Sequence, residues 1–192
     1  LRARADLPDV PVVLFGHSMG SFLAQQYLFT FPGEVDAYVL SGSNGPVGPL
    51  GEAGAVAARA ERARLGPGGR SDLLDRLVFG AYNAPFASPR TRFDWLSRDE
   101  AQVDAYIADP RCGFVPTTQM YLDVFSGLRV IGQVERVRRG ARPDTPIYAF
   151  AGSEDPVGGA AGMTALLEHY RAAGLAAVEH RLYDGGRHEM LN

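Results

Sequence analysis

A chain of 192 residues that is 46% hydrophobic and 21% charged is long enough to bury a core and too apolar to be disordered. A formal net charge of −3 without a basic stripe argues against a nucleic-acid partner, and no apolar run reaches the length that spans a bilayer. The single cysteine, Cys112, excludes an internal disulfide framework and a Cys-rich zinc site; within Asp-Pro-Arg-Cys-Gly it reads as a structural thiol in a turn.

All 19 basic residues are arginine, and Ala, Gly and Pro are abundant, a bias that points to a G- and C-rich bacterial gene. Val10 to Phe15 reads as a buried parallel strand ended by glycine. Met19 to Phe31 reads as a helix stopped by Pro32-Gly33. Val35 to Ser41 is a second strand, followed by the loop Gly42-Ser43-Asn44-Gly45. Strand, helix, strand in this order is a βαβ unit.

The character changes at Pro46. Gly/Pro-rich loops are expected from Pro46 to Gly54 and from Gly66 to Gly69. Helices are expected over Ala53 to Leu65, over Ser71 to Gly80 with Ser71 as N-cap, after Ser97 with a Ser97–Glu100 capping box, and over Thr117 to Gly127. Nine of the 19 aromatic residues fall between residues 71 and 128, enough to wall an apolar cavity or to form this segment's own core. The βα alternation then resumes. A strand is expected over Thr145 to Ala151, a helix over Ala160 to Ala173 and a strand over Ala177 to Tyr183. A Gly185-Gly186 turn then leads through Arg187-His188 into a helix. The fold class is therefore α/β, with three parts: a core over residues 1–45, a helical cap insertion over 46–143, and the rest of the core over 144–192.

Gly16-His17-Ser18-Met19-Gly20 matches G-x-S-x-G, which arises by chance in about one such chain in ten. Its place between a strand and a helix is the context in which the motif means a nucleophile elbow. There Ser18 projects above the sheet edge, Gly16 and Gly20 keep side chains out of a crowded backbone, and the Met19 amide opens the helix as an oxyanion donor. A serine needs a base, and the base needs an orienting acid. Of four histidines, His17 neighbours the serine too closely in sequence to fold back onto it. His169 reads as solvated in mid-helix and His180 as a surface position in a strand. His188 falls on a loop at the carboxyl end of the sheet, the edge that carries Ser18. Asp155 also follows a strand, and Pro156 stiffens its loop; Glu154 and Asp184 are the competing acids. The order Ser18, Asp155, His188 is the order this kind of site uses.

The stretches "GHSMGS", "SGSEDPVG" and "GGRHEMLN" resemble the α/β-hydrolase superfamily. The segment "WLSRDEAQVDAYIADPRCGF" is similar to caps of its lysophospholipase and monoacylglycerol lipase branch, often described as serine aminopeptidase-like. That resemblance covers nearly the whole chain. It implies a carboxylic ester hydrolase that works through an acyl-enzyme, with catalytic residues Ser18, Asp155 and His188 and no cofactor or metal. It implies a small-molecule substrate such as an acylglycerol or a lysophospholipid, transient contact of the cap with a membrane surface, and a cytoplasmic location. An aminopeptidase is the alternative, with Asp94, Glu100 or Asp104 as anchor for the substrate's ammonium; an inactive binding remnant is another. About four mostly parallel strands are expected, the C-terminal half of the superfamily's sheet. With Ser18 so near Leu1, the chain is expected to be a piece of a longer protein, lacking earlier strands and a His-Gly loop that would supply a second oxyanion donor. Losing one such donor typically costs about 2.7–4 kcal/mol of transition-state stabilisation, so the 192-residue chain alone is expected to be unstable and weakly active, with its first strand on an aggregation-prone edge.

Overall fold

In the computed structural model, which describes residues 9–192, four parallel strands form one open sheet in the order β1-β2-β3-β4. The elements are β1 (Val13–His17), α1 (Met19–Thr30), β2 (Ala37–Ser41), α2 (Gly48–Leu65), α3 (Asp72–Phe79), α4 (Glu100–Ala108), α5 (Thr118–Ile131), α6 (Val134–Gly140), β3 (Ile147–Gly152), α7 (Gly159–Ala173) and β4 (Val178–Tyr183).

Register sorts the two faces of the sheet. Leu14, Tyr38, Ile147 and Val178 lie side by side across the four strands, and Gly16, Leu40 and Ala149 repeat the pattern one pleat later. This face carries the main core: Leu40, Ala149 and Ala151 pack with Ala24 and Leu28 of α1, Val137 of α6 and Met163, Leu166 and Tyr170 of α7. The alternate positions point the other way, where Val13 is 53% exposed and Phe15 48% exposed. Among the described residues β1 pairs only with β2, so this apolar strand forms one edge of the sheet, as expected. The opposite edge, β4, presents Glu179, His180 and Arg181 to solvent.

Strand β1 starts later than expected, at Val13, and continues through Gly16 and His17, because these pair with Leu40 and Ser41. Helix α2 begins at Gly48, inside the stretch expected to be a loop. Pro49 falls in its first turn, where its missing N–H has no helical partner to lose. Ser71 caps α3, accepting from the Leu74 amide at 3.2 Å. The expected Ser97 cap is corrected to Asp99, whose carboxylate accepts from the Ala101 amide at 2.8 Å, while Ser97 Oγ accepts from the Asp99 amide at 3.1 Å. Helix α6 was not expected. Its Val137 sits in the main core with Ala141, although both lie within the stretch read as insertion. Residues 184–192 hold turns and no helix, since the His188 and Glu189 amides donate to carbonyls of Trp95 and Leu96 rather than along their own chain. No helix among the described residues is long and apolar enough to cross a membrane.

Candidate active site

The candidate catalytic side chains lie at the carboxyl ends of the strands. Ser18, between β1 and α1, has φ 52° and ψ −122°, a conformation that L-residues seldom adopt. It is held there from both sides: its amide donates to Ser41 O at 2.9 Å, and its carbonyl accepts from the Ser21 amide at 2.9 Å and from Ser21 Oγ at 2.6 Å. A Cβ on Gly16 would stand 2.5 Å from the Gly20 carbonyl oxygen, so the tight turn requires glycine at residue 16. At Gly20 a Cβ would meet nothing within 4 Å. The expectation that both glycines clear the elbow is thus corrected: Gly20 contributes its backbone, against which Gly16 packs. Met19 opens α1, where an amide has no acceptor within the helix.

Asp155 and His188 come together from loops 33 residues apart. His188 Nδ1 donates to both carboxylate oxygens of Asp155, at 2.9 and 3.0 Å, and both side chains are almost fully buried. Asp155 Oδ1 also accepts from the Val157 amide at 2.9 Å, so the carboxylate is aimed from two directions. A carboxylate accepts only, so in the neutral ring the proton sits on Nδ1 and the lone pair on Nε2. Glu154 and Asp184, the competing acids, are exposed and make no such contact. Nε2 is buried with no hydrogen-bond partner among the described residues. Ser18 and His188 line one cavity of about 470 Å³ without a hydrogen bond between them in this structure.

His17 lies closer to this chemistry than its sequence position suggested. Its ring centroid is 4.8 Å from that of His188, and its Nδ1 shares a hydrogen bond of 3.1 Å with Ser41 Oγ. Burial, and then the neighbouring His188, push its pKa down to about 4, which keeps the ring neutral at ordinary pH. His180 is exposed, as expected. His169 is not solvated. It is buried on the core face of α7, where its Nε2–H donates to Ile131 O at 2.8 Å, and burial lowers its pKa.

Sequence reasoning missed several residues that shape the site. Gly42, at φ +56°, runs so close to the pair that a Cβ there would lie 2.9 Å from His188 Cε1 and 3.3 Å from Asp155 Oδ2. Behind the elbow a buried polar knot joins Ser21 Oγ to Ser43 Oγ at 2.8 Å and Gln25 Nε2 to Ser43 Oγ at 2.9 Å. The helical segment between β2 and β3 supplies much of the cavity wall through Phe79, Phe93, Trp95, Tyr106 and Phe114. Polar groups in the lining include Asn83 and the Asp75–Arg92 pair, which is joined at 2.8 Å. Asp94 is buried and its carboxylate accepts from the amides of Arg90 and Thr91, while Glu100 and Asp104 pair with Arg90 on the surface; none of the three lines the cavity.

The chain is 28% identical over 190 residues to a monoacylglycerol lipase of Mycolicibacterium smegmatis, covering 99% of this chain and 59% of that protein. A thermostable carboxyl esterase from Bacillus coagulans, solved in complex with glycerol, matches with a TM-score of 0.84 at 26% identity, over 100% of this chain and 62% of the esterase. A monoacylglycerol lipase from Paleococcus ferrophilus shares the fold at 21% identity and a TM-score of 0.69, over 100% of this chain and 65% of that structure. The chain thus spans about three fifths of the length of the relatives it matches. Residues 2–192 match the family described as serine aminopeptidase, S33, so the chain, with its four parallel strands and strand-end site, belongs to that family within the α/β-hydrolases.

Proposed function

We propose that the protein hydrolyses small lipid-like carboxylic esters, such as acylglycerols or lysophospholipids, through an acyl-enzyme on Ser18. The observation that carries this reading is the buried His188–Asp155 pair, whose Nε2 has no partner among the described residues and whose histidine lines the same cavity as Ser18. Ser18 Oγ attacks the ester carbonyl while His188 Nε2 takes its proton. Asp155 holds the Nδ1–H tautomer and stabilises the imidazolium. The Met19 amide donates to the oxyanion, next to the positive end of α1. His188 then protonates the leaving alcohol, and water releases the acid.

Aromatic walls beside a few polar groups suit an acyl chain with a small hydroxylated head. The kinship with a monoacylglycerol lipase and with an esterase solved with glycerol supports the same substrate class. Leu73 and Leu77, exposed on α3, and Phe114, exposed beside the cavity, support transient contact with a lipid surface. The aminopeptidase alternative finds less support, because the three acids considered as ammonium anchors lie outside the cavity. The test is Ser18→Ala in the full-length protein with a short p-nitrophenyl ester. A loss of about 10⁴-fold or more in kcat is expected; undiminished hydrolysis overturns the assignment. Faster turnover of an N-terminally unblocked peptide than of a monoacylglycerol would favour the aminopeptidase. A folded protein that a fluorophosphonate fails to label would favour a binding role.

A further inference from the structure

Four consecutive carbonyls of the insertion face three consecutive residues of the loop after β4. Arg187 Nη1 donates to Asp94 O at 2.6 Å and to Ser97 O at 3.0 Å, spanning the segment from end to end. Between these contacts the His188 amide donates to Trp95 O at 3.3 Å and the Glu189 amide to Leu96 O at 2.7 Å. The acceptor segment is itself fixed. Asp94 Oδ2 accepts from the Arg90 amide at 2.5 Å, and the Trp95 amide donates to Asn83 Oδ1 at 2.8 Å. The Arg187 guanidinium lies 4.1 Å from the centre of the Phe86 ring, which covers its other side. The Trp95 ring stands 5.1 Å from the His188 imidazole.

This arrangement is more than surface stitching. His188 reaches Asp155 through its side chain and the insertion through its own backbone amide. The orientation of the imidazole therefore depends on where residues 94–97 sit. A single guanidinium nitrogen shared between two carbonyls three residues apart fixes the segment's curvature as well as its distance, a geometry suited to arginine's planar, pre-organised head. Resting on the ester-hydrolase reading above, we propose that Arg187 is a positioning residue for His188: it clamps the histidine loop to the 94–97 backbone, so the insertion is part of the frame that aims the general base.

The test compares Arg187→Met, which keeps an apolar stem of similar length without the donors, in two backgrounds of the full-length protein. With His188 intact, kcat on a p-nitrophenyl ester is expected to fall about 10- to 100-fold while KM stays within about twofold, the signature of a misplaced catalytic group. Arg187→Lys, which restores a donor, is expected to recover part of the loss. In the His188→Ala background the same Arg187→Met change is expected to alter the residual rate by less than about twofold, because the group it positions is gone. An unchanged kcat in Arg187→Met, or an equal loss in both backgrounds, overturns the proposal. If His188→Ala alone leaves hydrolysis undiminished, the ester-hydrolase reading itself fails, which is a distinct outcome. Should Arg187→Met not fold, Phe86→Leu loosens the same guanidinium: a smaller loss confined to the His188 background supports the clamp, and a loss equal in both overturns it.

Discussion

Beneath the sheet, Leu40, Ala149, Ala151, Leu166 and Tyr170 are each at most 1% exposed and belong to one continuous cluster. In the helical segment between β2 and β3 a smaller cluster has three buried members, Ala58, Leu74 and Tyr121, ringed by partly buried Val78, Phe79, Leu122 and Phe125. That segment leaves Leu50, Val56 and Leu77 largely exposed, and the sheet region leaves Val13, Phe15 and Leu23 so. The two regions also differ in how they meet the site. The sheet region brings Ser18, Asp155 and His188 on loops, and the helical segment brings aromatic rings, Asn83, the Asp75–Arg92 pair and a row of carbonyls. The candidate catalytic side chains rise from the larger continuous core, and the segment with the smaller cluster supplies much of the cavity wall.

The sharpest way to break this comparison is to cut equal volumes from each core. Leu166→Ala should cost about 4–5 kcal/mol of stability and Leu74→Ala about 2–3, because the smaller cluster can collapse around the gap. Urea unfolding monitored by circular dichroism checks this; a reversed ranking would make the insertion the tighter region. A second comparison uses glycines. Gly42→Ala forces a Cβ against His188 and Asp155, and kcat should fall about 10- to 100-fold; Gly54→Ala in α2 presses on the Phe125 ring, and kcat should stay within about twofold. Steady-state kinetics on one ester separates the two.

The smallest effect is in pH. Residues 46–143 contain no histidine, and both histidines with lowered pKa values, His17 and His169, lie in the sheet region. His17 binds its proton at about 6.5 when unfolded and at about 4 when folded, so the unfolded chain holds more protons in between. Stability is therefore fully present above pH 6.5 and declines as pH falls toward 4; His169, also lowered, acts in the same direction. Hydrogen bonds from Arg64 and Ser71 hold the Glu61 carboxyl of the insertion at about 2 against 4.5 unfolded, so its contribution is lost only as pH falls from 4.5 toward 2. Thermal melts across these windows should show His17→Gln flattening the upper slope and Glu61→Gln the lower one. An upper slope that His17→Gln leaves unchanged would remove His17 from the account.

The tight turn at Ser18 was legible because it lies where a β-branched run gives way to helical spacing, and the meeting of Asp155 with His188 because each follows a strand. Local pattern sufficed for these. Gly42 was not legible, since nothing in Gly42-Ser43-Asn44-Gly45 marks which glycine meets a pair more than a hundred residues away. His169 was misread from its charged neighbours Glu168 and Arg171, although Gly162, Leu166, His169 and Ala173 fall at helical spacing on the buried face. Helix α6 was missed because its sequence, Val-Glu-Arg-Val-Arg-Arg-Gly, offers only two apolar side chains to carry a period. The row of carbonyls at 94–97 is invisible to any pattern of side chains, because its acceptors are backbone atoms.

Ser18 shows where the protein's interests divide. A non-glycine residue held at φ 52° carries strain on the order of 1–3 kcal/mol. Glycine would relax it, and any engineering campaign that ranks substitutions by stability alone will find that change attractive at this position. It would obtain a calmer turn without a hydroxyl. The elbow is a spring kept loaded by the Ser41 carbonyl and the Ser21 side chain, and the surplus stability needed to keep it loaded must come from the packing beneath the sheet.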